Sequence, residues 1–179
     1  MSGFGGRWGF AGGWAIDLFL GRQSRPHADV DIAVLRDDQT ALRPLLLGAD
    51  VRKVVAHELA AWPDDETLQS PVHEVHVTWP DDFHLEFLLN EHDERTQEWV
   101  FRRETRIRRS LHAAFLGEAG RWYLAPEIVL LYKSKAPRSN DDADFEAAVP
   151  HLRADQRAWL IEALAVTAPS HRWAQSLGR

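Results

Sequence analysis

Three groups of residues have the types and spacing that chemistry on phosphates requires. The first is Asp29-x-Asp31, in the alternating run Asp29-Val-Asp-Ile-Ala-Val-Leu35. Side chains two apart on a strand share a face, so these carboxylates would stand side by side on rigid backbone. Without a counter-charge one of them tends to keep a proton. A divalent cation relieves that conflict, and Mg²⁺ prefers such oxygen ligands while keeping water and substrate phosphate in its shell. A solvated strand face, with Asp29 capping the strand entry, is the alternative for this pattern alone.

The second group is Glu86, in His84-Leu-Glu-Phe-Leu-Leu-Asn90. Leu85, Phe87 and Leu89 form the core-facing set, which turns Glu86 the other way. Val30, Ile32 and Val34 face the core in the same manner and turn Asp29 and Asp31 outward. If the two strands are neighbours, three carboxylates converge on one face; otherwise Glu86 is a surface acid. The third group is Gly12-Gly13, between a short strand and a helix. Glycine lets backbone approach a ligand closely, and a helix N-terminus offers free N–H groups to a phosphate. Plain turn geometry is the alternative there.

These residues need a frame. A strand over 7–11 leads to Gly12-Gly13, and a helix over 14–20 ends at Gly21. Residues 22–28 form a basic loop with Pro26, followed by the strand over 29–35. Asp37-Asp38 caps a helix over 39–47, and 51–56 reads as a strand. Residues 57–71 read as a short helix and loop. Strands over 72–79 and 84–90 flank the turn Pro80-Asp81-Asp82 and form a hairpin. An edge strand is expected over 99–103, and 106–120 is ambiguous between states. From Ala125 the pattern turns helical, with Pro126 in a first turn and later helices over 140–152, 155–165 and 170–177. The fold class that follows is α/β, a mixed sheet with a C-terminal helical extension. The expected division is residues 1–122 for the α/β part and 123–179 for the helical part.

Composition narrows the partners. The 179 residues carry 21 Lys+Arg against 27 Asp+Glu, a net charge of −6, with no cysteine and a 45% hydrophobic fraction. Disulfide scaffolds, Cys-ligated metals and thiol catalysis are excluded. The acidic balance argues against nucleic acid, whose binding rests on neutralising many phosphates. No apolar run approaches the roughly 20 residues of a membrane span, and the N-terminus lacks a leader pattern, so a cytoplasmic protein is expected. The sequence carries no reading of oligomeric state.

The run Gly12-Gly-Trp-Ala-Ile-Asp-Leu-Phe-Leu-Gly-Arg-Gln-Ser-Arg-Pro-His-Ala-Asp-Val-Asp-Ile32 resembles the nucleotidyltransferase superfamily that includes DNA polymerase β. It is similar in particular to the aminoglycoside and lincosamide nucleotidyltransferase branch. Leu124-Ala-Pro-Glu-Ile-Val-Leu-Leu-Tyr-Lys-Ser-Lys135 and Asp141-Asp-Ala-Asp-Phe145 are similar to that branch's helical part. The resemblance implies that Asp29 and Asp31 are the metal-binding pair and Glu86 the third acid, which is Asp in many members. It implies that Gly12 and Gly13 form the nucleotide-phosphate turn. Two Mg²⁺ ions and an NTP co-substrate follow, with a small-molecule acceptor, an antibiotic among them, receiving the nucleoside monophosphate as pyrophosphate leaves. The helix that usually precedes the first strand is almost absent here.

Around this set, Arg22, Arg25 and His27 lie in the loop that flanks the nucleotide in that branch, and Arg22 and Arg25 are candidate phosphate contacts. Lys133 and Lys135 are two of three lysines, and Lys133 is favoured for the triphosphate. The five arginines of 101–109 read as a charged strand and turn balanced by nearby acids. His73, His76 and His84 make a poor ligand set, because His73 and His76 would point to opposite faces. Trp14 or Trp99 could stack on a base, with packing the alternative. Two other functions remain open: a catalytically silent nucleotide-binding protein of the same fold, and a toxin-like transferase acting on tRNA.

Overall fold

A computed structural model describes residues 1, 3–118 and 120–178. Ten strands form one mixed sheet: β1 (Trp8–Phe10), β2 (Asp31–Leu35), β3 (Asp50–Val55), β4 (Glu58–Ala61), β5 (Glu74–Thr78), β6 (His84–Asp93), β7 (Glu98–Val100), β8 (Arg108–Ser110), β9 (Phe115–Glu118) and β10 (Arg121–Leu124). The main path runs β4-β3-β5-β6-β2-β1-β10-β9, and the far end of the long β6 pairs with β7, which pairs with β8. The helices are α1 (Gly12–Leu20), α2 (Leu111–Ala114), α3 (Pro126–Lys133), α4 (Ser139–Ala148), α5 (Ala154–Thr167) and α6 (Arg172–Leu177).

The expected hairpin of β5 and β6 forms, and β2 lies parallel to β6 with Asp31 opposite Glu86. Both faces of the central strands are covered. One core gathers Ile32, Val34, Val75, Val77, Phe87 and Leu89 under Leu42, Leu46, Trp62 and Leu68. The other joins Ala33 and Leu35 to Ala15 and Ile16 of α1 and to α3 and α5, with Leu130, Leu160 and Leu164 fully buried. Burying such a side chain is worth roughly 1.5–3 kcal/mol. The polar face of β2 and β6 is therefore not a solvated face; its apolar half packs under the helices, and its acidic end opens into a cleft.

Several elements differ from the sequence reading, each for a local reason. Asp29 precedes β2, which starts at Asp31, although the Glu86 amide donates to the Val30 carbonyl and continues the pairing one residue further. The expected helix over 39–47 is a 3₁₀ helix at Arg36–Leu46 that contains Pro44; a proline inside removes an α-type hydrogen bond. Residues 58–61 form β4, because Ala56 and His57 take positive φ (51° and 70°) and close a tight hairpin without the usual glycine. The strand expected over 99–103 stops at Val100, and the ambiguous stretch resolves into β8, α2 and β9 apart from position 119, outside the described residues. Helix α3 ends at Lys133, so Lys135 lies beyond it rather than on it. Strand β10 straddles the expected boundary between residues 122 and 123. Among the described residues no helix is long and apolar enough to cross a membrane.

Candidate active site

Strand β1 delivers the chain to Gly12, where φ is +53°, and α1 starts without a side-chain cap. A Cβ built on Gly12 would lie 1.9 Å from Asp31 Oδ2, so only glycine admits that carboxylate against the start of α1. The Ala11 amide donates to the Asp31 carbonyl at 2.8 Å and fixes the same approach from the backbone. Next to it, a Cβ on Gly13 would meet the His27 ring at 2.4 Å and Arg25 Nη2 at 2.5 Å. The glycine pair thus has two distinct tasks: Gly12 makes room for Asp31, and Gly13 makes room for the loop that packs over it.

Asp31 and Glu86 are in register on parallel neighbouring strands and share a face. Burial, then the charges of Glu86 and Asp29, push the Asp31 carboxyl up to about 7, against a smaller opposing effect of Lys133. Glu86 is also raised, first by burial, with Glu74 and Asp29 adding to it and His76 and His84 opposing. Asp31 and Glu86 are therefore electrostatic neighbours, and the Asp29 charge bears on both. Asp29 is exposed, and its carbonyl accepts from Trp14 Nε1 at 3.0 Å. That bond holds Trp14 beside the approach to the acids, while Trp99 is fully buried with its Nε1 on Asn90 Oδ1 and is core.

A cleft of about 380 Å³ opens beside Asp31 and Gly12. Glu74 stands on its acidic side, and Arg102, Arg103, Lys133, Lys135 and Arg138 bring positive charge to it. Sequence reasoning missed Arg102 and Arg103. Of the five arginines in that run, Arg106 pairs with Glu104, Arg108 with Asp93 and Glu98, and Arg109 with Glu127 and Asp155. Among the described residues neither Arg102 nor Arg103 pairs with a carboxylate; Arg103 instead donates to the Tyr132 carbonyl at 3.1 Å. Burial and the neighbouring Arg102 charge depress the Arg103 guanidinium, the condition of a cation short of an anionic partner. The signal was present in the sequence as an Arg-Arg pair with only Glu104 close by.

The remaining expected residues are placed differently. Lys133 reaches the cleft but is held by Asp141 and by Asp144, the latter at 3.0 Å. Arg25 makes a two-pronged bond to Asp144, with Nε at 2.8 Å and Nη2 at 2.9 Å. It ties the loop before β2 to α4. His27 packs on Asp17 of α1, as does Ser24 through both its amide and its hydroxyl. Burial opposes the Asp17 charge, yet the bonds from Ser24 and His27 outweigh it and hold the carboxyl below its usual range. Arg22 is exposed and lines a separate depression with Trp14, Gln23 and Arg121.

His73 does not join His76 and His84; its Nδ1 sits 2.9 Å from the Pro71 carbonyl. His76 and His84 instead gather with Glu86, one nitrogen of each ring and one carboxylate oxygen lying within 4.8 Å of one another.

This arrangement, acids at a strand end beside a helix N-terminus and facing a basic wall, can hold a cation between carboxylates and phosphate. Residues 2–77 match the family described as aminoglycoside-2''-adenylyltransferase. That span includes Gly12, Gly13, Asp29 and Asp31 and stops short of Glu86 and Lys133. The crystal structure of ANT(2'')-Ia in complex with adenylyl-2''-tobramycin is similar over 90% of this chain and 88% of that one, with a TM-score of 0.56 at 16% identity. The solution structure of the antibiotic-resistance factor ANT(2'')-Ia covers 91% and 84%, with a TM-score of 0.53 at 18% identity. Lincomycin-bound lincosamide antibiotic adenylyltransferase LnuA covers 79% and 84%, with a TM-score of 0.53 at 15% identity. No curated protein sequence matches the chain. The chain has the nucleotidyltransferase fold. Its resemblance lies with the aminoglycoside and lincosamide nucleotidyltransferase-like branch.

Proposed function

We propose that the chain is a metal-dependent nucleotidyltransferase that moves a nucleoside monophosphate from an NTP to a hydroxyl of a small acceptor and releases pyrophosphate. The observation that carries this reading is Asp31, seated against Gly12 and crowded by Glu86 and Asp29 until its carboxyl rises to about 7. A divalent cation among these carboxylates would offset the mutual repulsion of their charges. Three oxygen donors with room on the cleft side suit Mg²⁺, and Asp29 and Asp31 would hold two such ions with Glu86 completing one of them. When bound, the ions supply charge neutralisation for the triphosphate and for the transferred phosphoryl oxygens.

The chain's own groups do the rest. The free amides at the start of α1 face a phosphate, and Arg102, Arg103 and Lys133 oppose the charge of the departing pyrophosphate. Glu86, whose affinity for a proton burial raises, takes the acceptor hydroxyl's proton as that oxygen bonds to the α-phosphorus and the bond to the β-phosphate oxygen breaks. Arg25 braces the loop against α4 through Asp144 rather than meeting phosphate directly. In functional terms residues 1–122 supply the acids and residues 123–179 the lysine side of the cleft. An antibiotic of the aminoglycoside or lincosamide kind is the acceptor class this reading favours, since the family match and the fold neighbours are adenylyltransferases of such compounds.

The test is a pyrophosphate-release screen with each NTP against a library of hydroxylated acceptors, with and without Mg²⁺. Metal-dependent release with at least one acceptor is expected, and Asp31→Asn should lower it by on the order of 10²–10⁴. Release from no acceptor, or near-wild-type turnover in Asp31→Asn, overturns the proposal.

A further inference from the structure

The β5–β6 hairpin places a second ligand set beside the acids. Antiparallel register sets His76 opposite Glu86 and Thr78 opposite His84, and residues two apart on β6 share a face. His76, His84 and Glu86 therefore converge without any loop to position them. Their rings lie 5.6 Å apart between centroids, and one ligand atom from each of the three residues falls within 4.8 Å of the others.

Two details distinguish this group from a chance cluster. His76 Nδ1 is 3.6 Å from Glu86 Oε1, too long for a hydrogen bond. Two ligands of one tetrahedral ion, each about 2.0–2.1 Å from it, sit roughly 3.3 Å apart. In addition, the other nitrogen of His76 is already taken: Nε2 lies 2.7 Å from Glu74 Oε1, the carboxylate–histidine pairing that orients metal-ligating imidazoles. His84 is oriented in a similar way, with Nδ1 2.7 Å from Thr78 Oγ1, which leaves Nε2 free. Two imidazoles and one carboxylate, with an exposed side open to water, are a donor set for a borderline ion of the zinc class rather than for Mg²⁺.

We propose that His76, His84 and Glu86 bind a zinc-class divalent ion, oriented by Glu74 and Thr78, in a site adjoining the Asp29–Asp31 pair. Because Glu86 faces both groups, an ion held by the imidazoles competes for the carboxylate that the transferase needs. The binding itself does not rest on the transferase reading.

Cobalt(II) is a suitable probe, because its visible spectrum reports nitrogen and oxygen ligation directly. The full chain is titrated with cobalt and followed by absorption and by equilibrium dialysis. One histidine-dependent ion per chain with a ligand-field band is expected. His84 is exposed, so His84→Gln should keep the fold, checked by circular dichroism. It should weaken cobalt by more than the roughly 10–100-fold that Glu74→Gln is expected to cost through lost orientation. Asp31→Asn removes no ligand, although Asp31 neighbours Glu86, and should lower cobalt affinity by less than His84→Gln does. Unchanged cobalt affinity in His84→Gln, or a loss in Asp31→Asn as large as in His84→Gln, overturns the site. Absence of pyrophosphate release with cobalt binding intact speaks only against the transferase, whereas release without a histidine-dependent cobalt site speaks only against this proposal.

Discussion

The molecule contains two groups of sequestered carboxylates a short distance apart, and they behave in opposite ways. At the ends of β2 and β6, Asp31 and Glu86 are raised, first by burial and then by the acids around them. Beneath the loop and α3, Asp17 and Asp141 are lowered although burial opposes them, because Ser24, His27, Lys133 and Arg138 supply hydrogen bonds and positive charge. Asp144 is fully enclosed and also has internal partners, Arg25 and Lys133. The second group is complete within the chain. The first holds acids that crowd one another, which is why a cation is proposed there. Burial alone does not separate a working acid from a structural one; the presence of an internal partner does.

The sharpest way to break this contrast is to neutralise one acid from each group. Asp144→Asn leaves Arg25 and Lys133 facing a neutral amide, and removing one partner of a buried pair costs about 3–5 kcal/mol. Chemical denaturation should show that loss, while the same measurement on metal-free Asp31→Asn should show none. Equal destabilisation by the two substitutions would erase the distinction.

A smaller effect is expected from Gly12→Ala. The added Cβ would meet Asp31 Oδ2, and alanine is strained at a φ of +53°. Displacing a catalytic group by about 1 Å can lower turnover on the order of 10²-fold. Steady-state kinetics on the acceptor found by the screen should show that fall in kcat with the fold retained.

A third test is the pH dependence of the metal-free chain. Asp31 takes its proton near 7 when folded and near 4 when unfolded, so the folded state binds more protons between those values. Its contribution is present below the unfolded value and is lost as pH rises through about 7. Asp17 and Asp141 have the opposite sign: their contribution is present above the ordinary carboxylate range and is lost as pH falls through their lowered values. Denaturant midpoints between about pH 4 and 8 should therefore decline on the neutral side. Asp31→Asn should flatten that decline, and a divalent ion should reduce it in the wild-type chain.

How much of this was legible depended on distance along the chain. The convergence of Asp31 and Glu86 was legible, because alternation with period two is local and each strand declares its own inward face. That convergence was conditional on the two strands being neighbours, and β2 and β6 do pair, in parallel, with Asp31 opposite Glu86. Asp29 was read as a strand residue, but β2 begins at Asp31 and only the backbone bond at Val30 extends the pairing. Arg25 was a candidate phosphate contact because its loop flanks the nucleotide in the resembling branch; its partner here, Asp144, is 119 residues away and left no mark nearby. Arg102 and Arg103 read as part of a charged strand and turn balanced by neighbouring acids; among the described residues Arg106, Arg108 and Arg109 find carboxylates and these two do not. Their approach to Tyr132 depends on β6 continuing past the sheet centre to pair with β7.

What the sequence determined by itself was the inventory and its local geometry: acids at i and i+2, a third acid on a strand with the same polarity, and a glycine pair before a helix. Those follow from side-chain alternation and from the conformations glycine permits, which need no distant partner. Tertiary structure decided which charges would be satisfied. It assigned Lys133 and Arg25 to Asp144, left Arg102 and Arg103 without an acid among the described residues, and set two imidazoles beside Glu86. The reason is that pairing energy depends on separation in space and on burial, and neither quantity is written in the spacing of residues along the chain.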